Sequence, residues 1–349
     1  MTTDELTAPA DPTTHVSLTR RQILRLGGMS LATAAAAASL PPTAAAAAMP
    51  VTAARARRPI PVVPGEVYPF RLGDIDVAVI DDGYSVLPVP YYAVGAPAGA
   101  AEALLAQNGL PTDFVYNRSL PMYVRTHGDV VLYDAGFGSE ILPGEGGKLA
   151  ANLAAAGLRR EDVETVVISH ASTDHIGGLL DPDGHLAFPK ARYLIARTEW
   201  DYWNAGAPGW PYDPYTLEFF LATVRKVFPQ IAGRVQLLDS DREIVRGVQT
   251  LNAPGHTPGH LGLSLRSGRE RLLNVGDACA HHVLSLRHPE WAFGADIDPT
   301  TNYRTKLRLL EEATDRRTWM FGYHFPFPGI GKVTRRPDFG YDIAMLPAR

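Results

Sequence analysis

The chain has 349 residues, 46% of them hydrophobic, a composition typical of a globular protein with a substantial core. Its 33 basic and 37 acidic residues give a formal net charge of −4. Because nucleic-acid binding depends on an excess of positive charge, no nucleic-acid partner is expected.

The first 48 residues differ in composition from the rest and are predicted to be an export signal. Arg20 and Arg21 form a twin-arginine pair ahead of an alanine-rich stretch, and small residues at 44–48 suit a signal peptidase. A disordered tail or a membrane anchor is the alternative, against which Pro41 and Pro42 argue. The pattern predicts an exported protein, periplasmic or extracellular, that folds and binds its cofactor before transport.

Residues 49–64 are interpreted as a basic, proline-bearing linker and residues 65–349 as one catalytic domain. No later apolar run reaches the roughly 20 residues of a membrane span, so no membrane partner is expected after signal removal. A homodimer is compatible with the sequence. The single cysteine, Cys279, excludes an intramolecular disulfide and is interpreted as a buried apolar residue.

The predicted elements of the mature chain alternate between strands and helices. The amino-terminal half has strand, turn and strand at 70–83, two strands around a tight turn at 121–136, a helix at 146–158, strands at 163–169 and 191–196, and helices at 198–203 and 216–227. The second half has strands at 234–238, 244–253, 261–267 and 271–277, a helix at 301–315, and a strand from 318 that ends in His324. This order predicts a layered α/β sandwich with its loops gathered at one rim.

The strongest polar clusters all follow predicted strands. The segment "SHASTDHIGG" at 169–178 supplies two histidines and an aspartate, and further histidines and an aspartate follow later strands. The candidate metal ligands are His170, Asp174, His175, His256, Asp277 and His324. Imidazole and carboxylate donors without a thiolate suit a divalent metal, expected to be zinc as one or two ions, with manganese, cobalt or iron as alternatives.

These residues, in this order, resemble the hallmark of the metallo-β-lactamase-fold hydrolases: an HxHxDH motif, a histidine in a "GHTPGH"-like turn, an aspartate and a final histidine. The stretches at 70–83, "GDACAHHVLSLRHPEW" and "HFPFPGIGKV" look like the methyl parathion hydrolase and quorum-quenching lactonase branch. The resemblance implies a four-layered αβ/βα sandwich with the site on one rim. It also implies a first metal position formed by His170, the residue at 172, His256 and the bridging Asp277, and a second formed by Asp174, His175, Asp277 and His324.

Position 172 departs from that pattern, because Ser172 stands where the family has the second histidine of HxHxDH. A neutral hydroxyl is a weak ligand, and its affinity cost should reach at least the roughly 10 to 100-fold seen for outer-shell changes. Three interpretations stay open: a weakened binuclear site with water in the gap, a mononuclear second position, or an iron site of His170, His256 and Asp277 suited to oxygen chemistry. The complete second set favours hydrolysis.

Further residues are expected around the metals. His260 and His281, four positions after His256 and Asp277, are predicted to orient ligands; alternatively His260, His281 or His282 replaces the missing imidazole. The resemblance implies that Asp134 steadies the loops beside the metals, with a turn-capping role as the alternative. Aromatic residues between the metal motifs predict a substrate pocket that includes Trp200, Trp203 and Phe325.

The sequence therefore predicts an exported hydrolase that acts on a small-molecule lactone, ester or phosphotriester through a metal-activated water. Asp174 and His175 are its catalytic candidates, with Asp174 placed to hold or accept the proton of the attacking water. A G-x-S-x-G elbow is absent from the sequence, which argues against a serine nucleophile. A mononuclear iron oxygenase and a degenerate small-molecule binder are the alternatives.

Overall fold

A computed structural model describes residues 59–138, 146–239 and 241–348 of the chain. The predicted export signal and residues 49–58 of the predicted linker lie outside the described residues. Within these ranges, no helix combines the length and the apolar character that a membrane crossing requires.

The first of two large sheets contains seven strands in the order β1-β2-β5-β6-β7-β8-β9. They are β1 (Val67–Leu72), β2 (Ile75–Ile80), β5 (Met122–Thr126), β6 (Asp129–Tyr133), β7 (Thr165–Val167), β8 (Arg192–Ala196) and β9 (Val235–Leu238). Each strand predicted between residues 70 and 238 is confirmed, with bounds that differ by a few residues. Because β6 to β9 run parallel, the loops that follow them leave the sheet at the same edge.

The second sheet also has seven strands, in chain order from β10 to β16. They are β10 (Glu243–Val245), β11 (Val248–Asn252), β12 (Leu261–Ser267), β13 (Glu270–Asn274), β14 (Thr318–Phe321), β15 (Ile330–Arg335) and β16 (Tyr341–Met345). The single strand predicted at 244–253 is wrong: it is a hairpin, and Gly247 turns the chain with a φ of 80° that glycine adopts without strain. The predicted closing strand ends at Phe321, so His324 lies in the loop beyond it.

The α-helices of the described residues are α1 (Ala100–Gln107), α2 (Leu149–Ala155), α3 (Thr173–Ile176), α4 (Arg197–Asn204), α5 (Pro214–Ile231), α6 (Leu284–Arg287) and α7 (Pro299–Ala313). Four of them, α2, α4, α5 and α7, cover the outer faces of the two large sheets. Apolar side chains of α2, α4 and α5 form one core with the first sheet, a second core lies between the sheets, and α7 packs on the second sheet together with the fully buried Cys279. The predicted αβ/βα sandwich is confirmed.

The two long helices begin with the same local signal. Asp213 and Asp298 each accept a hydrogen bond from a backbone N–H in the first turn, and a proline occupies the first helical position. Both features satisfy or remove N–H groups that have no partner inside the helix. The two caps therefore determine at which residues α5 and α7 begin, next to the loops of the rim.

A two-stranded sheet beside the rim was not predicted. It consists of β3 (Gly83–Pro88) and β4 (Phe114–Ser119), and α1 lies in the segment that connects them. Their apolar side chains pack against Leu284, Trp291 and Phe293 in a separate core. This addition forms one wall of the cavity described below.

Candidate metal centre

Four histidines direct their Nε2 atoms towards one carboxylate oxygen of Asp277. The distances from Asp277 Oδ2 are 2.9 Å to His324, 3.4 Å to His175, 3.4 Å to His256 and 3.8 Å to His170. All five side chains are almost completely buried. A carboxylate oxygen surrounded by four imidazole nitrogens offers ligands of the types that would hold a divalent metal.

Loops after neighbouring strands bring these side chains together. Segment 169–178 follows β7, Asp277 follows β13, and His324 follows β14. The backbone N–H of Leu261 donates to the Ser169 carbonyl at 2.9 Å, which joins the two sheets at the rim. Gly178 is needed for close packing, since a Cβ there would lie 2.0 Å from the carbonyl oxygen of Ala135.

The three terminal ligands proposed for the second metal position have their donor atoms within 4.8 Å of one another: Asp174, His175 and His324. Asp174 Oδ2 lies 3.7 Å from the Nε2 atoms of both histidines. The Nδ1–H of His175 donates to Asp134 Oδ2 at 2.8 Å, and that of His324 donates to the carbonyl of Arg118 at 2.5 Å. These bonds engage both Nδ1 atoms, so Nε2 is the ring nitrogen left to face Asp277 and, once deprotonated, to bind a metal.

Asp134 holds the second position through two contacts. Its Oδ1 accepts the backbone N–H of Ser169 at 2.7 Å while Oδ2 accepts from His175. Its backbone has a φ of 57°, which is uncommon for a residue other than glycine and often marks a functional position. Burial raises the pKa of this carboxyl, and the nearby His175 opposes that rise.

The proposed first metal position contains His170 and His256, whose Nε2 atoms lie 3.1 Å apart. The Nδ1–H of His256 donates to Asp296 Oδ1 at 3.1 Å, so its Nε2 carries a lone pair in the neutral ring. Two nitrogen lone pairs face each other at this distance only with a proton or a cation between them. Ser172 lies in the adjoining cavity wall, and its hydroxyl caps no N–H of the helix that begins at Thr173.

Two buried atoms of the cluster lack a hydrogen-bond partner among the described residues: His175 Nε2 and Asp277 Oδ1. A buried polar atom left unpaired costs about 1–3 kcal/mol. Both atoms are nitrogen or oxygen electron-pair donors, as a divalent cation requires. The residues present therefore fit a divalent metal centre.

The charges within the cluster support the same conclusion. Burial acts against ionisation of Asp277, but His324 and His175 outweigh it and hold the carboxyl pKa well below its usual value. Burial likewise opposes protonation of His175, yet Asp277 and two other carboxylates raise that pKa well above its usual value. Burial lowers the pKa of His170, so this ring is neutral and ready to bind a metal. Metal binding would therefore release protons from the second position.

The structure gives the other predicted histidines different surroundings. His260 accepts the backbone N–H of Asp277 at Nε2 (3.1 Å) and donates from Nδ1 to the carbonyl of Ala253 (2.9 Å), so both ring nitrogens are engaged. Its donor atom lies within 4.8 Å of those of His170 and Asp277. With both ring nitrogens engaged, however, His260 orients Asp277 and has no free lone pair with which to replace the missing imidazole. His281 accepts two backbone N–H groups at the start of α6 and stacks on His282, with no hydrogen bond to the proposed ligands.

A cavity of about 120 Å³ lies over the metal cluster. Asp174, Asp277, His256 and His324 lie at its base, and the wall residues are Ser85, Leu87, Tyr91, Asn117, Phe137, Ser172, Thr173, Thr216, Phe219, Phe220, Phe293 and Ala295. The wall is mainly apolar, and no lysine or arginine lines it among the described residues.

The predicted pocket aromatics lie elsewhere. Trp200 stacks on Phe228 at 4.3 Å under α5, Trp203 is buried in the same core, and Phe325 is buried beneath the second sheet. Packing requirements account for these rings, so their position between the metal motifs in the sequence was misleading. The aromatic rings of the cavity come instead from α5, from Tyr91 after β3, from Phe137 after β6 and from Phe293.

Two buried acids of the site escaped the sequence analysis. Asp296 holds His256, and its Oδ2 accepts from the backbone of Phe293 and the side chain of Asn302. Glu199 lies in the first turn of α4 and contacts both loops of the first metal position. Flanking apolar residues in "TEWDYW" and "FGADID" are the weak signals that the sequence offers for burial of these acids.

Comparison with known families gives a consistent picture. The family model described as the metallo-beta-lactamase superfamily matches residues 118–324, a range that includes all six proposed ligands. N-acyl homoserine lactonase AiiB of Agrobacterium fabrum is 34% identical over 182 residues, which are 50% of this chain and 62% of that protein. An N-acyl homoserine lactonase of Bacillus cereus is 26% identical over 190 residues, 54% of this chain and 62% of that protein. The chain thus spans less than two thirds of these relatives.

Among solved structures, AidC, described as a dizinc quorum-quenching lactonase in complex with a product, superposes with a TM-score of 0.76. The superposition covers 81% of this chain and 98% of that one, at 24% sequence identity. A similarity at this level of identity shows a shared fold.

Proposed function

Because this chain belongs to the metallo-β-lactamase superfamily, we propose that it is a metal-dependent hydrolase that opens an uncharged lactone, ester or phosphotriester, close to the quorum-quenching lactonases and methyl parathion hydrolases. One observation carries the proposal: four imidazole Nε2 atoms surround a single carboxylate oxygen of Asp277 at the base of an apolar cavity.

A divalent metal held by these side chains supplies, when bound, a Lewis acid that acidifies water and polarises a carbonyl or phosphoryl oxygen. Asp174 is suited to the proton transfer, because its side chain is 15% exposed and lines the cavity. Its Oδ2 is the acceptor atom for a proton from the attacking water. Asp134 and Asp296 keep His175 and His256 in the tautomers that present Nε2 to the metal.

The cavity wall supports an uncharged substrate with an apolar group. Phe219, Phe220 and Phe293 offer apolar surface, and the described wall contains no cationic side chain that would bind a carboxylate or phosphate monoester. Asn117 Oδ1 accepts the Tyr92 hydroxyl at 2.6 Å and its NH₂ donates to Ser85 Oγ at 3.5 Å. These contacts fix the amide and leave its second N–H to donate to a substrate carbonyl.

The two metal positions are proposed to differ in affinity. The second position has Asp174, His175 and His324 together with the bridging Asp277, whereas the first has two histidines, the bridge and Ser172. A hydroxyl without negative charge contributes little to binding compared with an imidazole. The second position should therefore fill at lower metal concentration.

Metal analysis followed by hydrolysis assays tests the proposal. Protein purified without added metal is analysed by elemental mass spectrometry, then assayed with an acylated homoserine lactone, an aryl ester and an aryl phosphotriester. We expect zinc, manganese or cobalt and turnover of at least one neutral substrate, with loss of turnover in His324→Ala. One equivalent of iron with oxygen consumption would favour the oxygenase, and a stable protein free of metal would refute the hydrolase.

Export through the twin-arginine route is a separate part of the proposal, supported by Arg20, Arg21 and the alanine-rich stretch behind them. Replacement of both arginines with lysine keeps the charge and should retain the protein in the cytoplasm, as cell fractionation would detect. Unchanged export of that variant would contradict the assignment.

A further inference from the structure

We propose that Glu199 is a positioning residue that holds the two loops of the first metal position together, so that His170 and His256 face the same ion. The inference rests on the proposed metal centre and is independent of the substrate. Glu199 contacts neither the reacting atoms nor a metal ligand directly, and it acts through the backbone of both loops.

The carboxylate of Glu199 is fully buried and accepts four hydrogen bonds. Oε1 accepts the backbone N–H of Ala171 at 3.0 Å and the indole N–H of Trp203 at 2.7 Å. Oε2 accepts the hydroxyl of Thr257 at 2.6 Å and the backbone N–H of Gly259 at 3.0 Å. A buried carboxylate with every strong acceptor direction engaged is a rigid junction, because moving either loop breaks a charge-assisted hydrogen bond.

The contacts lie next to the ligands in the sequence. Ala171 directly follows His170 and precedes Ser172, and Thr257 directly follows His256. Gly259 packs so closely on α4 that a Cβ there would lie 2.3 Å from the backbone nitrogen of Glu199. The junction thus sets the 3.1 Å separation of the two Nε2 atoms at the first position.

The second position depends on other anchors. His175 is held by Asp134 and His324 by the carbonyl of Arg118, and neither contact involves Glu199. Loss of the Glu199 junction should therefore weaken one metal position and spare the other. A general loss of stability would not produce such a selective effect.

Glutamine is the appropriate replacement because it retains the shape but not both acceptors. If the amide NH₂ takes the place of Oε2, it faces the N–H of Gly259; if it takes the place of Oε1, it faces the N–H groups of Ala171 and Trp203. Either orientation leaves at least one buried donor unpaired. The variant thus perturbs the junction without creating a cavity.

The test is a cobalt(II) titration of metal-free wild type and Glu199→Gln, followed by the visible absorption of the bound ion. The two binding steps are assigned with His170→Ala and His324→Ala, which remove one position each. We expect the affinity of the first position to fall at least about 10-fold, on the scale of other outer-shell changes, with the second position within about 2-fold of wild type.

Two further variants keep the test decisive. Thr257→Val removes one donor to Glu199 with little change in shape, and should weaken the first position to a smaller extent. Asp82→Asn is the matched control: Asp82 is a fully buried carboxylate that accepts backbone N–H groups from Phe137, Gly147 and Leu149, and its loss should leave the first position unchanged.

Equal weakening of both positions, or unchanged affinities in Glu199→Gln and Thr257→Val, would overturn the positioning role. Wild-type protein that binds no cobalt would refute the metal centre itself and the inference with it. Metal binding without hydrolysis would leave the role of Glu199 intact and count against the proposed function alone.

Discussion

Ser172→His should restore the third imidazole of the first metal position. Ser172 has an extended backbone with φ of −71° and ψ of 152°, a conformation that histidine adopts without strain. Its side chain lines the cavity, so a larger group extends into open space and not into the core. The serine hydroxyl caps no helix N–H, and removing it sacrifices no hydrogen bond.

The expected magnitude follows from these contacts. Without metal, the substitution resembles an ordinary change at a cavity wall and should alter the free energy of unfolding by no more than about 0.5 kcal/mol. With metal, a gained imidazole ligand should tighten the first position at least about 10 to 100-fold, equivalent to roughly 1.4–2.7 kcal/mol. Because the metal binds the folded protein, this gain in binding free energy adds to the free energy of unfolding at saturating metal.

The assay compares metal affinity and thermal unfolding in the same samples. Cobalt titration of Ser172→His should show tighter binding at the first position, and saturating metal should raise its midpoint by roughly 2–6 °C more than it raises that of wild type. Ser172→Ala is the control, since it removes the hydroxyl without adding a ligand and should behave as wild type. Wild-type affinity in Ser172→His would refute the view that this side chain faces the metal.

Three other predictions concern the remaining anchors. His324→Ala should remove one equivalent of bound metal and lower kcat by more than the roughly 10 to 100-fold typical of outer-shell changes, as measured by metal analysis and steady-state kinetics; full occupancy would contradict its place in the second position. Asp134→Asn leaves one oxygen for two donors, the Nδ1–H of His175 and the backbone N–H of Ser169, and should weaken the second position about 10 to 100-fold in a metal titration, with equal affinity as the contrary result. Burial raises the pKa of Asp82 from 3.8 to about 6, so the folded state binds this proton more tightly than the unfolded state. The stability that results is fully present below about pH 4 and is lost as the pH rises through 6. In denaturant unfolding with a chelator present, the stability difference between wild type and Asp82→Asn should fall by about 2 kcal/mol from pH 4 to pH 6.5; parallel pH profiles would contradict it.

The proximity of the proposed ligands could be predicted from the sequence because these residues follow a rule of chain topology. His170, Asp277 and His324 each follow a strand, and parallel neighbours bring the ends of those strands to one edge. A short apolar run is enough to locate such a strand, so local pattern alone brings distant ligands together. The same reasoning predicts one strand at 244–253, where the structure has a hairpin. The apolar pattern continues on both sides of Gly247 and does not reveal the turn that this glycine makes.

The cavity wall could not be derived in this way. Trp200 and Phe219 both lie on amphipathic helices, and which aromatic ring packs inward depends on how each helix rests on the sheet. Residues 83–119 supply Tyr91 and Asn117 from an addition whose packing partners lie about 170–200 positions later, at Leu284, Trp291 and Phe293. Contacts over such distances leave no periodic pattern in either segment.

Buried carboxylates present the hardest case, and Glu199 and Asp82 show why. An acid in a first helical turn or beside a strand end is ordinarily exposed, so the position of these two residues in the sequence does not indicate burial. What makes burial of the carboxylate tolerable is the set of N–H donors that converge on it, three for Asp82 and three more with a hydroxyl for Glu199. Those donors are mostly backbone N–H groups, which nearly every residue type has, so the amino-acid sequence does not indicate where they converge. An acid that organises two loops is therefore visible only once the loops have been placed, and its role has to be tested through the ligands that the loops carry.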